Sequence, residues 1–160
     1  MNTSIRPYTR ADRNACQEIF RSNIPKYFTQ DEDAWFQRWL DTLDGVLPPE
    51  DGDGETHYFV LERDGVVLAC GGWGIKSGRD HATLIFGMVH RDFLGHGIGQ
   101  VLTEFRLADF HKAYPGMPIT IDTSHHTEGF YARFGFVTER YTENGYGPGL
   151  HRHDMRLGAG

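Results

Sequence analysis

Apolar residues recur at helical spacing in the first third of the chain and at every second position from about residue 58. A short strand is expected at 5–8, followed by a helix over 12–22 with Ala15, Ile19 and Phe20 on one face. Pro25 interrupts. Asp31, Glu32 and Asp33 then place negative charge at the start of a second helix, whose apolar stripe is Trp35, Phe36, Trp39, Leu40 and Leu43. The period changes to two at 58–62. Asp64-Gly65 turns the chain and 66–72 returns it, the sequence signature of a hairpin. A turn at 77–80 precedes an apolar run of strand length at 82–89. Residues 97–113 then predict a helix with Ile98, Val101, Leu102, Phe105 and Ala108 on one face, ended by Tyr114-Pro115-Gly116. A strand at 119–123, a short helix at 127–134 and strands at 136–141 and 151–157 complete the pattern. The order is βααβββαβαββ. Its central strand–helix–strand unit is a parallel crossover, so the predicted class is α/β with a mixed sheet flanked by helices.

Composition narrows the function classes. At 160 residues the chain has the size of one domain, here 1–160, and with 39% hydrophobic and 24% charged residues it can build a core. A net charge of -6, with the sixteen Lys and Arg scattered, argues against nucleic acid as a partner. No apolar run reaches the ~20 residues of a membrane span, and the opening Met-Asn-Thr-Ser-Ile-Arg has no signal-peptide core. Cys16 and Cys70 read as reduced, buried thiols, so the expected location is the cytoplasm. Asp and Gly alternate at 51–54 without the twelve-residue calcium pattern and its closing Glu, which leaves a solvated turn.

The most informative segment runs from Val89 to Leu102. Glycines at 95, 97 and 99 lie between a strand and a helix. They allow close approach of a ligand to the backbone, and the helix adds free first-turn N–H groups and the positive end of its dipole. That combination suits a phosphate or pyrophosphate. A P-loop would need Gly-Lys-Ser/Thr, and no Lys is near. The dinucleotide fingerprint would need glycine at its sixth position, which is Gln100 or Leu102 here. Both are excluded.

The turn resembles the acyl-CoA-binding signature Gln/Arg-x-x-Gly-x-Gly/Ala of the Gcn5-related N-acetyltransferase (GNAT) superfamily. Phe130-Tyr131-Ala132-Arg133-Phe134-Gly135-Phe136 resembles that family's Phe-Tyr-x-x-x-Gly-Phe segment, and the element order is similar throughout. The resemblance implies the acyl-CoA N-acyltransferase fold, in which the central sheet is splayed. It implies that coenzyme A pyrophosphate sits on the N–H groups of Gly95, His96, Gly97, Ile98, Gly99 and Gln100. The pantetheine arm would lie between Phe86–His90 and Ile119–Ser124 and pair with backbone near Met88 and Val89. Tyr131 takes the place of the general acid. Four departures stand out: Leu94 where Gln or Arg is usual, Arg91 where Pro is frequent, Ser124 where Asn is common, and Thr83 where several relatives carry a catalytic Glu.

Thr83 leaves the general base open. His57, His125 and His126 are candidates because an imidazole titrates near ~6.5. His125 is preferred, since it follows the strand expected to line the cleft. The nine His, including the pairs His125-His126 and His151/His153, do not define a converging ligand set, and no metal is assigned. The resulting expectation is an enzyme that takes acetyl from acetyl-CoA, as co-substrate, to a primary amine on a small molecule or peptide, with room for a homodimer. The alternatives are an acyl-CoA sensor without turnover and a Rossmann-type phosphate binder.

Overall fold

The protein's structure, a computed structural model, describes residues 2–50 and 54–158. The acidic glycine turn at 51–53 lies outside the described residues. Strand β1 (Thr3–Pro7) leads through a 3₁₀ turn into helix α1 (Arg13–Ser22), then α2 (Glu32–Leu43). Strands β2 (Glu55–Arg63), β3 (Val66–Ile75) and β4 (Ala82–Val89) follow. Helix α3 (Ile98–Ala113), β5 (Ile119–Ser124), α4 (Glu128–Ala132), β6 (Val137–Gly147) and β7 (Leu150–Leu157) complete the chain. This is the order read from the sequence. Local chemistry fixes several boundaries. Asp64 and Gly65 both have positive φ, 52° and 83°, as a tight hairpin requires. The Glu32 carboxylate accepts the Thr29 N–H at 2.9 Å and so closes the entrance to α2.

The seven strands form one mixed sheet in the order β1-β2-β3-β4-β5-β7-β6. Every neighbouring pair is antiparallel except β4 and β5, which α3 connects as a crossover. Each face of the sheet carries its own core. Phe20, Phe36, Leu40, Tyr58, Val60 and Met88 pack under α1 and α2. Trp73, Leu84, Phe110, Ile119, Phe136 and Met155 pack on the face covered by α3. Cys16 and Cys70 are both free and fully buried. Among the described residues no helix is long and apolar enough to cross a membrane.

Three expectations need correction. The buried face of α3 is Ile98, Leu102, Thr103, Arg106, Leu107 and Phe110, whereas Val101 is 47% exposed. The stripe expected from hydrophobicity is therefore rotated, because an arginine occupies the middle of the true one. In α2 only Phe36 and Leu40 are buried, and Trp35 is exposed. Strand β6 continues to Gly147, six residues past its expected end, because it pairs with β7 again at Gly147 and Leu150 after an irregularity.

Two glycines test the packing. A Cβ at Gly72 would run into the His57 carbonyl oxygen and lie 2.9 Å from Tyr58 Cα, both backbone atoms of β2. Gly72→Ala should lower the unfolding free energy by about 2 kcal/mol or more. Gly129 in α4 has open space around its Cβ position and no positive φ, so Gly129→Ala should raise it by about 0.5 kcal/mol. Urea denaturation of both variants checks this pair of opposite signs.

Candidate functional site

The site begins with an irregularity in β4. Cys70 pairs with Met88 and Gly72 with Ile85, so Phe86 and Gly87 together face the single residue Gly71. This is a β-bulge, and Phe86 adopts φ 38°, unusual for a bulky residue. Two buried side chains hold it. The Tyr58 hydroxyl donates to the Phe86 carbonyl at 2.8 Å, and burial pushes that phenol far up, keeping it a neutral donor. Arg106 donates from Nε to the Gly72 carbonyl at 3.1 Å and from Nη2 to the Ile85 carbonyl at 3.2 Å.

Beyond the bulge the sheet opens. The parallel pairing of β4 and β5 consists of Ala82 with Ile119 and Thr83 with Thr120, and then it stops. The two strands diverge and line a cavity of about 590 Å³. On its walls stand Met88, Val89, Leu94, Gly99, Ser124 and Tyr131, all singled out in the sequence. Asn23, 4% exposed, donates to the Val89 carbonyl at 3.0 Å and ties α1 to the free edge of β4. Ser124 is buried beside Thr127, and its hydroxyl accepts the His126 N–H at 3.3 Å.

The glycine turn stands at one end of this cavity. Gly95 and Gly97 have φ 81° and 76°, the left-handed region that favours glycine. Gly97 is the residue at which α3 starts, and the first bond inside the helix runs from the Val101 N–H to the Gly97 carbonyl at 3.2 Å. The N–H groups of Ile98, Gly99 and Gln100 precede that bond and have no partner within the helix. His96 is exposed in this turn. Gly99 is the informative case. A Cβ there would make ordinary contacts, 3.5 Å from Val89 Cγ2 and 3.6 Å from Phe130 Cζ, and its φ is not positive. Neither packing nor backbone angle within the chain demands glycine at 99. What the missing side chain keeps open is the cavity in front of the helix, as a closely approaching anionic ligand needs.

Tyr131 is 6% exposed, among Phe130 and Phe136. Its hydroxyl bonds to no described group, yet it is not among the sealed, unpartnered polar atoms, so its oxygen opens onto the cavity. Thr83 also faces the cavity and shares a hydrogen bond of 3.1 Å with Thr120.

The histidines are placed differently. His125 is not part of the cavity lining, and its Nδ1 accepts the His151 N–H at 3.1 Å. Its ring centroid lies 4.0 Å from that of His126 and 4.6 Å from that of His151. His57 stacks on Trp73 at 4.3 Å and bonds to Glu55, while its neighbour Thr56 is the one lining the cavity. Among the described residues no three His, Cys, Asp or Glu side chains converge to hold a metal.

Sequence reading missed Asp122 and Tyr146. Asp122 reaches the cavity from β5, and Tyr146 Oη donates to its Oδ2 at 2.6 Å. Burial first, then the charge of Asp122, drives the Tyr146 phenol strongly upward, so it remains protonated. Trp35 and Trp39 pack on Phe86 at 5.3 and 4.9 Å between ring centroids and form an aromatic wall of the cavity.

A family model described as an acetyltransferase (GNAT) domain matches residues 26–159. The chain belongs to the GNAT family. Solved structures with this fold include a GNAT-family protein from Desulfovibrio desulfuricans, 18% identical with a TM-score of 0.78, covering 99% of this chain and 100% of that one. The ribosomal-protein-S18-alanine N-acetyltransferase of Escherichia coli is also 18% identical, with a TM-score of 0.73 over 99% of this chain and 94% of that one. The yncA protein of Salmonella typhimurium, solved with its cofactor acetyl-CoA, is 17% identical, with a TM-score of 0.66 over 100% of this chain and 95% of that one. No curated protein sequence matches.

The histidine cluster gives a pH prediction for this GNAT chain. Desolvation, followed by the charges of His125, Lys26 and His151, lowers the affinity of His126 for a proton. The unfolded chain, with an imidazole near ~6.5, binds that proton first, so stability is full above that value and falls as pH drops through the lower folded one. The melting temperature should fall between pH 7.5 and 5.5, and His126→Gln should flatten the fall. Parallel slopes for variant and wild type would show that His126 does not contribute.

Proposed function

We propose that this chain is a cytoplasmic N-acetyltransferase that moves an acetyl group from acetyl-CoA to a primary amine on a small molecule or peptide. The observation that carries the reading is the gap between β4 and β5, which is joined at only two residue pairs and bordered by the glycine turn at one end and the Tyr131 hydroxyl within. Met88, Val89, Leu94 and Ser124 would flank the arm of the cofactor, and the N–H groups from Gly95 through His96, Gly97, Ile98 and Gly99 to Gln100 would hold its phosphates. Acetyl-CoA supplies an acyl carbon joined to a good leaving group. This chain's own residues orient it, exclude water and manage two protons.

The acceptor amine must lose a proton to be a nucleophile. His125 lies outside the cavity lining and is not placed for that step. Asp122 is the carboxylate that β5 presents to the cavity, and the Tyr146 hydroxyl fixes its orientation. Asp122, directly or through a water, takes the amine proton. Tyr131 is the acid, since its hydroxyl has no competing partner among the described residues and its ring is held by aromatic neighbours. A free thiol titrates near ~8.5 and a phenol near ~10, so the proton moves to sulfur most readily while negative charge is growing there. Trp35, Trp39 and Phe86 form the apolar wall that the acceptor's carbon skeleton would meet.

Release of free thiol from acetyl-CoA in the presence of amines, amino acids, polyamines and peptides tests the activity. Tyr131→Phe should keep acetyl-CoA affinity and lower kcat by roughly 10²-fold or more. Near-normal turnover would return Tyr131 to the core. Gly97→Val, which forces a branched residue into a left-handed position, should weaken acetyl-CoA by about tenfold or more, ~1.4 kcal/mol. Tight acetyl-CoA binding without thiol release for any amine would instead make the chain a sensor.

A further inference from the structure

Arg106 is 1% exposed, one of the largest side chains fully enclosed by this protein. Nε and Nη2 are spent on the carbonyls of Gly72 and Ile85. Nη1 has no acceptor among the described residues, yet it is not sealed away, and Arg106 lines the cavity. Among the described residues the guanidinium also has no counter-ion. Asp109, one turn along α3, accepts the Trp73 Nε1–H at 2.9 Å, and Glu104 accepts from Gln100 at 3.0 Å. The ionisable groups around the bulge are Tyr58, held neutral by burial, and Cys70; Tyr131 and Asp122 face the same cavity.

The sheet is built to admit this group. A Cβ at Gly87 would run into Nη1, and one at Gly71 would lie 3.1 Å from the guanidinium carbon. Both glycines leave the space that the guanidinium occupies against the bulge. An enclosed cation with no anion persists only where something compensates it. Two carbonyl dipoles do part of this. Two of the guanidinium's five N–H groups are taken by these carbonyls, which leaves three, two of them on Nη1. On a group that lines the cavity they are suited to charge that appears on an adjacent atom during a reaction.

We propose that Arg106 is an electrostatic support for the leaving group. Its positive charge, fixed beside Gly87, stabilises the negative charge that passes to the coenzyme A sulfur when the thioester is cleaved. The proposal rests on coenzyme A occupying the gap between β4 and β5. In the step itself the amine lone pair forms the C–N bond and the C–S bond breaks with its electrons going to sulfur. The nitrogen's proton passes to Asp122 or water, and Tyr131 returns one to sulfur. Arg106 neither gives nor takes a proton. It acts through its charge and through the bulge that it holds.

Coenzyme A bound to the protein provides the test, with its thiolate followed by ultraviolet absorbance across pH while calorimetry reports affinity. On wild type the bound thiol should titrate about one unit or more below the ~8.5 of a free thiol. In Arg106→Gln it should return toward that value while affinity changes by less than about threefold, and Arg106→Lys should retain most of the shift. Turnover by Arg106→Gln should fall about tenfold or more at unchanged KM, the mark of an interaction made as charge develops. A bound thiol that titrates like a free one on wild type would overturn the proposal, whether or not any variant folds. So would an unchanged titration in a folded Arg106→Gln that binds coenzyme A. A preference for succinyl-CoA over acetyl-CoA that Arg106→Gln abolishes would also overturn it, by assigning the charge to an acyl carboxylate. Absence of coenzyme A binding to wild type would remove the reading beneath it instead.

Discussion

The hydrogen-bonded ladder between β4 and β5 lasts for two residue pairs, and the character of the site follows from where it ends. A parallel pair that closed completely would satisfy its own backbone and leave no room between its strands. Here the bulge at Phe86 and Gly87 bends β4 away from its neighbour, and the bend is fixed from both faces of the sheet. Tyr58 holds the Phe86 carbonyl, and Arg106 takes carbonyls on β3 and β4. The opened edges need partners, since unpaired backbone groups away from water are costly. Asn23 supplies one at Val89. An extended ligand with amides of its own would supply others.

Much of this was legible in the sequence because it is local. Asp64-Gly65 specifies its hairpin, the glycines before α3 specify a turn with left-handed residues, and the period of the apolar positions identifies each element. What stayed hidden depends on contacts between distant residues. Arg106 sits where a hydrophobic stripe should run, and a pattern built on apolarity rotates the helix to avoid it. Nothing local marks Phe86-Gly87 as a bulge, because its causes are Tyr58, 28 positions earlier, and a helix that follows. Asp122 and Tyr146 meet only because β7 lies between β5 and β6 in the sheet. His125 illustrates the reverse. Following a cleft strand in sequence did not place its ring in the cleft, because the chain turns at Ser124 and the imidazole meets β7.

The cavity also divides its chemistry by face. Polar backbone and the N-terminus of α3 border it at the glycine turn, and Trp35, Trp39 and Phe86 line an apolar wall. Phe86 belongs to the bulge as well as to that wall, and a cation lies against the bulge at Gly87. A phosphate-bearing donor and a mostly carbon acceptor would thus meet different walls of one cavity. That arrangement lets the scaffold stay rigid while both reactants are positioned.

Amide hydrogen exchange with and without saturating coenzyme A tests the central claim most directly. Exchange should slow at 86–90, 94–100 and 119–124, the two free strand edges and the glycine turn, while the paired strands β1 and β2 remain unchanged. Protection confined to other segments, or none at saturation, would contradict a cofactor seated in the gap between β4 and β5.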